Sequence, residues 1–282
     1  MIALPPIEHI IHEAERALAE DLGSGDITAK LLPAGQSAQA ELISRQTAVL
    51  SGAAWFNAVF WCLDPKMQLD WQVQDGERVN ADQVICRLQG GLRELLTGER
   101  TALNLLQTLS GTATRARAYA DAVSGLPTRI LDTRKTLPGL RLAQKYAVRC
   151  GGCHNHRLGL YDAILIKENH ILAAGSIANA VAAARDLTPT LGIEIEVETL
   201  EELREALAAG VERVLLDNFT VDLLREAVAI NQGRARLEAS GGMTLDQLRT
   251  VAETGVDDIS IGDLTKSVAA VDLSLRLVKN TT

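Results

Sequence analysis

Residues 193–218 read IEIEVETLEELREALAAGVERVLLDN. Ile193, Ile195 and Val197 alternate with Glu194, Glu196 and Glu198. A period of two marks a strand and puts the three glutamates on one of its faces. Leu200–Ala209 follows with helical character, and a second short apolar run, Val214–Leu216, ends on Asp217. Strand, helix, strand in so short a span argues for parallel pairing.

The alternation extends both ways. Further apolar runs lie at Ile130–Leu131, Ala163–Ile166, Leu237–Ala239 and Ile259–Ile261, and helical segments at Gly175–Leu187, Val221–Ile230 and Leu245–Thr254. The later repeats are about 20–25 residues long, close to one βα unit of a barrel. Six runs predict a reduced barrel or one with strands that escape recognition. An open doubly wound sheet stays open, because periodicity does not separate the two. Each run ends in polar residues or glycine: DTRK, KENH, EVE, DN, SGG and GDLTK. Barrel active sites stand at these C-terminal strand ends, so six in succession predict a site.

Upstream the character differs. Residues 7–20 carry Ile7, Ile10, Ile11, Ala14 and Leu18 at helical spacing, and the helix is expected to stop at Gly23. Residues 36–91 carry β-type segments, with turns expected at Asp75-Gly76 and Gly90-Gly91, around an apolar helix AAWFNAVFWCL. This part reads as an α+β layer domain. Residues 92–123 read as one long helix in which Gly111 marks a break or a close contact, and the domain boundary is expected near it.

The chain has 282 residues, enough for a barrel with a smaller companion domain. Apolar residues make up 47% and aromatics only 3%, so Leu, Val, Ile and Ala must build the core, as in parallel α/β proteins. A net charge of −8 disfavours nucleic acid and anionic membrane surfaces as partners. There is no run of eighteen apolar residues and MIALPPIEHIIHEAERAL lacks a secretory pattern, so neither a membrane span nor export is expected. With 4 Cys, a reducing cytosol fits best.

Within this acidic chain, Arg129–Arg157 holds seven Lys/Arg and one acid, Asp132. Arg grips carboxylate and phosphate in a bidentate manner and Lys adds a point charge, so a multiply anionic small molecule is the expected ligand. Arg141, Lys145 and Arg149 read as a solvated helix face. Arg134, Lys135, Arg157 and Lys167 read as site residues, with His154 and His156 nearby. Glu196 and Asp217, at the ends of neighbouring strands, are candidates to share Mg2+ with water and a phosphate. Glu194 and Glu198 are as consistent with structural pairing to the cations. Ser240-Gly241-Gly242, and Gly262 with Asp263 and Thr265, precede helices and suit phosphate binding by backbone N–H groups. Cys150-Gly-Gly-Cys153-His154 matches the c-type haem pattern, but without export the reading is a tight glycine turn and no haem. Lys167 also permits a Schiff-base lyase.

The motifs DTRKTLPGLR, GGCHNHRLGLYDAILIKENH, EIEVETLEE, LLDN, EASGG and ISIGDLTKS, with EDLGSGDIT and GERTALNLLQTLSG, resemble the carboxylating nicotinate-nucleotide pyrophosphorylases, also called quinolinate phosphoribosyltransferases. The likeness covers nearly the whole chain. It implies an α/β fold: an N-terminal α/β sandwich domain (residues 1–110, completed by 270–282) and an incomplete α/β barrel (residues 111–269). It implies a cytoplasmic homodimer in which Arg100 reaches the neighbouring subunit's pocket. It implies that Arg134, Lys135, His156, Arg157 and Lys167 hold the two carboxylates of quinolinate, with Thr133 among the substrate-binding residues. Glu196 and Asp217 would hold ribose hydroxyls and Mg2+, and Ser240, Gly241, Gly242, Ile261, Gly262 and Asp263 the phosphate end. Lys135, Lys167, Glu196 and Asp217 would be the catalytic set. Cys153-His154 replaces smaller residues, and Asp263 stands where Ala is expected, which leaves its backbone N–H as the phosphate contact. A related protein of molybdenum transport with another anionic substrate is the nearest alternative.

Overall fold

The computed structural model describes residues 2–278. Residues 1 and 279–282, the extreme ends of the expected sandwich domain, lie outside the described residues. In chain order the elements are α1 (Ile7–Leu22), β1 (Ser37–Ser44), β2 (Ala48–Val49), α2 (Ala53–Leu63), β3 (Gln68–Trp71), β4 (Arg78–Val79), β5 (Val84–Gly91), α3 (Leu92–Ala122), β6 (Arg129–Leu131) and α4 (Arg141–Cys150). They continue as β7 (Ile164–Ile166), α5 (Glu168–Ala174), α6 (Ile177–Leu187), β8 (Ile193–Val197), α7 (Leu200–Ala208), β9 (Arg213–Asp217), α8 (Val221–Asn231), β10 (Arg236–Ser240), α9 (Leu248–Ala252), β11 (Asp258–Ser260), α10 (Asp263–Lys266) and β12 (Leu273–Leu277). The chain folds as two compact units. One takes the residues up to Arg117, Thr136–Gly152 and the described residues from Leu264 onward; the other takes Ala118–Lys135 and Cys153–Asp263.

The first unit is an antiparallel sheet in the order β12-β1-β5-β3, with helices over its apolar face. The helix α2 buries Trp55, Phe56, Ala58, Val59 and Phe60, which explains its apolar sequence. Asp75 accepts the backbone N–H groups of Gly52 and Ala53 and so caps the start of α2. The expected turn at Gly76 is present, with φ of 93°. Gly90-Gly91, in contrast, is no turn. Both residues pair with β1 inside β5, and a Cβ on Gly90 would run into the Met67 sulfur, so the glycine serves close approach.

The helix α3 runs through Gly111 without a break. A Cβ there would collide with the backbone carbonyl of Ala269. Gly111→Ala is therefore expected to destabilise the protein by about 1–3 kcal/mol through overpacking, which outweighs the ~1 kcal/mol that Ala normally gains over Gly in a helix. Urea denaturation followed by circular dichroism checks this, and a stabilised variant would overturn it. On α4 only Arg149 matches the solvated face expected from sequence. Lys145 is buried, and Arg141 is half-buried.

The second unit is built on six parallel strands in the order β6-β11-β10-β9-β8-β7. From β7 to β11 each crossover advances to the next neighbour with no reversal. A doubly wound sheet reverses at a switch point, so this is barrel winding. An isolated parallel bridge, Leu131 to His154, extends the edge beyond β6. The sheet is an incomplete α/β barrel.

Local sequence explains why helices begin where strands end. Ser176, Thr199 and Thr220 cap α6, α7 and α8 by accepting backbone N–H groups three residues on, and Glu202 returns the bond to Thr199. The expected helix 245–254 is a 3-10 turn, Leu245–Gln247, followed by the short α9. The helix α5 lies where the sequence reading placed a polar strand end. The apolar strand positions Ile193, Ile195, Val197, Val214, Leu216, Leu237, Ala239 and Ile259 are buried. The alternate positions carry Glu194, Glu196, Arg213, Glu238 and Asp258, and these build the site.

Candidate active site

The strand ends of the second unit surround a pocket of about 310 Å³, within the size range of small-molecule sites. Thr133, Arg134 and Lys135 follow β6. His156 and Arg157 follow the bridge at His154. Lys167 follows β7, Glu196 lies near the end of β8, and Ser240 ends β10. Leu165, Leu215, Glu238 and Ser260 complete the lining. A larger hollow of about 450 Å³ lies along the four-stranded sheet of the first unit, between rows of strand residues such as Glu41, Asp70 and Arg87. There Arg87 pairs with Glu41 at 3.1 Å and lies opposite Asp70 across the strands, so these charges satisfy one another, and the barrel pocket carries the chemistry.

Cations dominate the barrel pocket. Arg157 is held by the Ala163 carbonyl. Burial and the neighbouring charge of Arg134 both pull its guanidinium below the usual arginine range. Two guanidiniums that repel across a pocket leave a space whose electrostatics an anion relieves. Lys167 Nζ donates to Glu196 Oε2. Asp132, fully buried, shapes the wall: its oxygens accept Asn155 Nδ2 at 2.6 Å and the His156 backbone N–H at 2.9 Å.

Around the pocket's deeper lining lies a layer of charge. Glu194 accepts from Arg213 at 3.4 Å and lies 2.9 Å from His156 Nε2. Arg213 reaches Glu238 at 3.1 Å and Asp258 at 3.2 Å. Asp258, with no exposed surface, also accepts from Arg129 at 2.7 Å and Arg236 at 3.1 Å. Burial alone would raise its carboxyl. The hydrogen bonds from Arg129 and Arg236 overcome that and hold it below the usual carboxylate range. Glu194 is likewise held low: burial raises it, and His156 and Arg213 outweigh burial. Glu238 goes the other way. Burial and the charge of Glu194 push it up to about 7, against the opposing pull of His156, Ser260 and Arg213. For His156, burial opposes protonation, but the bond to Glu194 and the charge of Glu238 win and set it above the ordinary histidine range.

Comparison with known proteins gives the family of the chain. Residues 26–110 match the N-terminal domain of quinolinate phosphoribosyl transferase, and residues 112–276 match its C-terminal domain. The chain belongs to the quinolinate phosphoribosyl transferase family. It is 44% identical to a probable nicotinate-nucleotide pyrophosphorylase [carboxylating] of Synechocystis sp. over 99% of this chain and 96% of that one. It is 44% identical to the Mycobacterium leprae nicotinate-nucleotide pyrophosphorylase [carboxylating], over 93% of this chain and 95% of that one. The structure of the nicotinate-nucleotide pyrophosphorylase from Francisella tularensis superposes with a TM-score of 0.94 at 44% identity, covering 99% of each chain.

Within this family member the pocket brings together eight of the residues singled out from sequence: Thr133, Arg134, Lys135, His156, Arg157, Lys167, Glu196 and Ser240. Asp217 is not among the lining residues; its carboxylate accepts from the adjacent Asn218. Gly241, at φ of 141°, packs against Asn218, and Gly242 follows it. Ile261 is buried and donates its backbone N–H to Leu131, so its side chain belongs to the core. A Cβ on Gly262 would touch Lys135, so the absent side chain leaves that lysine room. Asp263 accepts from the Tyr119 hydroxyl at 3.2 Å. Arg100 is exposed on α3, in the first unit. Glu198 lies exposed past the end of β8, outside the charged layer. Sequence reasoning missed Glu238, Ser260, Arg213 and Asp258. The only signal for Glu238 was its place one strand step before SGG.

Cys150 and Cys153 are buried and form no disulfide, and the chain turns at Gly151-Gly152 between them. Burial pushes the Cys150 thiol up to about 11, which makes it a poor nucleophile. Among the described residues no helix is long and apolar enough to cross a membrane.

Proposed function

We propose that this chain transfers phosphoribose from phosphoribosyl pyrophosphate to quinolinate and expels carbon dioxide, giving nicotinate mononucleotide and pyrophosphate for NAD biosynthesis. The observation that carries the reading is the convergence of Arg134, Lys135, His156, Arg157 and Lys167 on one pocket of an acidic chain. A planar ring with two adjacent carboxylates suits that array, since arginines clamp carboxylates in pairs and the lysines add charge without demanding direction. Leu165 and Leu215 supply apolar surface for the ring.

The phosphoribosyl group then lies towards the strand ends of β8 to β11. Glu196 and Asp217 hold the ribose hydroxyls. Backbone N–H groups of Ser240, Gly241, Gly242, Gly262 and Asp263 receive the 5′-phosphate, while that of Ile261 is already given to Leu131. Two carboxylates on neighbouring strands are the hard-oxygen donors that Mg2+ takes when substrate phosphates fill the rest of its shell, so the donor set fits. When bound there, Mg2+ supplies Lewis-acid stabilisation of the departing pyrophosphate. The protein's own part is positioning: the pyridine nitrogen is held against the ribose C1 as oxocarbenium character develops, and no protein nucleophile is needed. The working form is a cytosolic homodimer, with Arg100 given to the partner's pocket. Exposed apolar residues such as Ile27, Leu31, Leu160 and Tyr161 support association.

The test incubates the protein with quinolinate, phosphoribosyl pyrophosphate and Mg2+ and follows nicotinate mononucleotide by mass spectrometry. Product that requires all three components is expected, and its absence from folded protein overturns the reading. Arg134→Ala is expected to raise KM for quinolinate about thirtyfold, the loss of roughly 2 kcal/mol for one buried charge contact, with a smaller change for phosphoribosyl pyrophosphate. Equal loss of both affinities would remove Arg134 from the quinolinate cradle.

A further inference from the structure

Loss of carbon dioxide leaves an electron pair on the ring carbon that carried the carboxylate, C2, and that carbon must gain a proton. The cations assigned to quinolinate are occupied by its carboxylates. The charged layer around the deeper lining has one acid placed differently from the others. Glu238 is 1% exposed yet contributes to the pocket lining. Its Oε2 accepts from Arg213 at 3.1 Å and lies 3.5 Å from His156 Nε2. Its Oε1 is buried and meets no hydrogen-bond partner among the described residues. An ionised carboxylate in such a place would leave one oxygen uncompensated, which is costly, whereas a protonated carboxyl places its hydroxyl there. Ser260, on the neighbouring strand β11, also lines the pocket.

We propose that Glu238 stores the proton that replaces carbon dioxide on the pyridine ring, and that the Ser260 hydroxyl hands it over. This rests on the proposed transferase reaction. The bond from C2 to its carboxylate breaks, the electron pair stays on C2 beside the cationic ring nitrogen, and carbon dioxide leaves. C2 takes the Ser260 hydroxyl proton as that hydroxyl takes the proton from the Glu238 carboxyl beside it. Glu238 ends as a carboxylate facing Arg213 and His156, and water restores its proton after product leaves.

The surroundings suit the role. Glu194 from β8, Arg213 from β9, Ser260 and Asp258 from β11, and His156 are the polar groups around Glu238. Glu194 favours the stored proton, and Arg213 and His156 balance the charge once it has gone. A dianionic substrate above the floor adds negative potential, so binding strengthens the hold on the proton.

Two measurements test this with the full-length protein. Calorimetric titration of quinolinate in buffers of different ionisation enthalpy, slightly above pH 7, should show proton uptake by the native protein and none by Glu238→Gln. In single turnovers Glu238→Gln should release pyrophosphate at a rate close to native but form nicotinate mononucleotide about a hundredfold more slowly, the usual share of a general acid. Ser260→Ala, which leaves the buried carboxyl in place, should take up the proton normally and show the same split. If Glu238→Gln takes up as many protons as the native protein, the proposal is overturned. It is also overturned if pyrophosphate release and product formation slow together in both variants. A native protein that releases no pyrophosphate with quinolinate defeats the transferase reading instead, so the two failures are distinct.

Discussion

Asp258→Ala is expected to lower the unfolding free energy by about 3 kcal/mol, the low end of the range for breaking a buried ion pair. Asp258 has no exposed surface, and three guanidiniums from three strands, Arg129, Arg213 and Arg236, converge on it. Removing it leaves these cations facing one another across the sheet. The loss stays at the low end because their side chains are 27–44% exposed, and water screens part of the repulsion. Asp258→Asn, which keeps the shape and one acceptor oxygen, should cost less. The folded Asp258 carboxyl is held below its unfolded range, so its contribution is present above the unfolded carboxylate range and is lost as pH falls through the folded one. Both variants should therefore lose less stability than the native protein on acidification below about pH 4. Urea denaturation at neutral and acid pH measures this. A loss under about 1 kcal/mol for Asp258→Ala, the scale of an exposed pair, would mean that the buried layer contributes no more than surface charge.

That layer was also the part of the molecule hardest to read in advance. The strands of the barrel announce themselves, because runs such as Ile193–Val197 and Val214–Leu216 alternate or cluster in ways a helix does not. The polar groups that end each run point to the site for the same reason: side-chain period and strand length fix which residue stands at the rim. Neighbour order is a different kind of information. Nothing in the spacing says that β6 pairs with β11, so a reversing sheet stayed open until the register joined Asp258 to Arg129. The charged layer depends on that register. Arg213 reads as an ordinary residue at the start of a strand, and Glu238 is masked by the glycines that follow it. They meet only when β8, β9, β10 and β11 stack in order. The first unit shows the same limit on a smaller scale. Gly90-Gly91 has the composition of a turn, and only the approach of Met67 explains glycine inside a strand. The short α5 escaped because seven residues give too few turns for a helical period to emerge.

Lys167→Ala should lower kcat/KM for quinolinate by about two to three orders of magnitude, the consequence of losing roughly 3–4 kcal/mol at a charge contact that the bound substrate closes off from water. Two effects add. The pocket loses a cation, and Glu196, whose carboxylate Lys167 holds, is left as an unbalanced anion facing an anionic substrate. Repulsion between like charges adds to the loss of the cation. Lys167→Arg separates this account from covalent catalysis. The guanidinium keeps the charge, so the variant should recover part of the activity that Ala loses, although its fork fits Glu196 differently. A Schiff-base lysine would be as inactive as Arg as it is as Ala. The geometry is unlike such a lysine, which is kept desolvated: Lys167 has 43% of its side chain exposed and is paired to a carboxylate. Borohydride should trap no adduct with candidate carbonyl substrates. Equal inactivity of both variants together with a trapped adduct would make Lys167 the nucleophile, and the cations of the pocket would then serve to activate its amine.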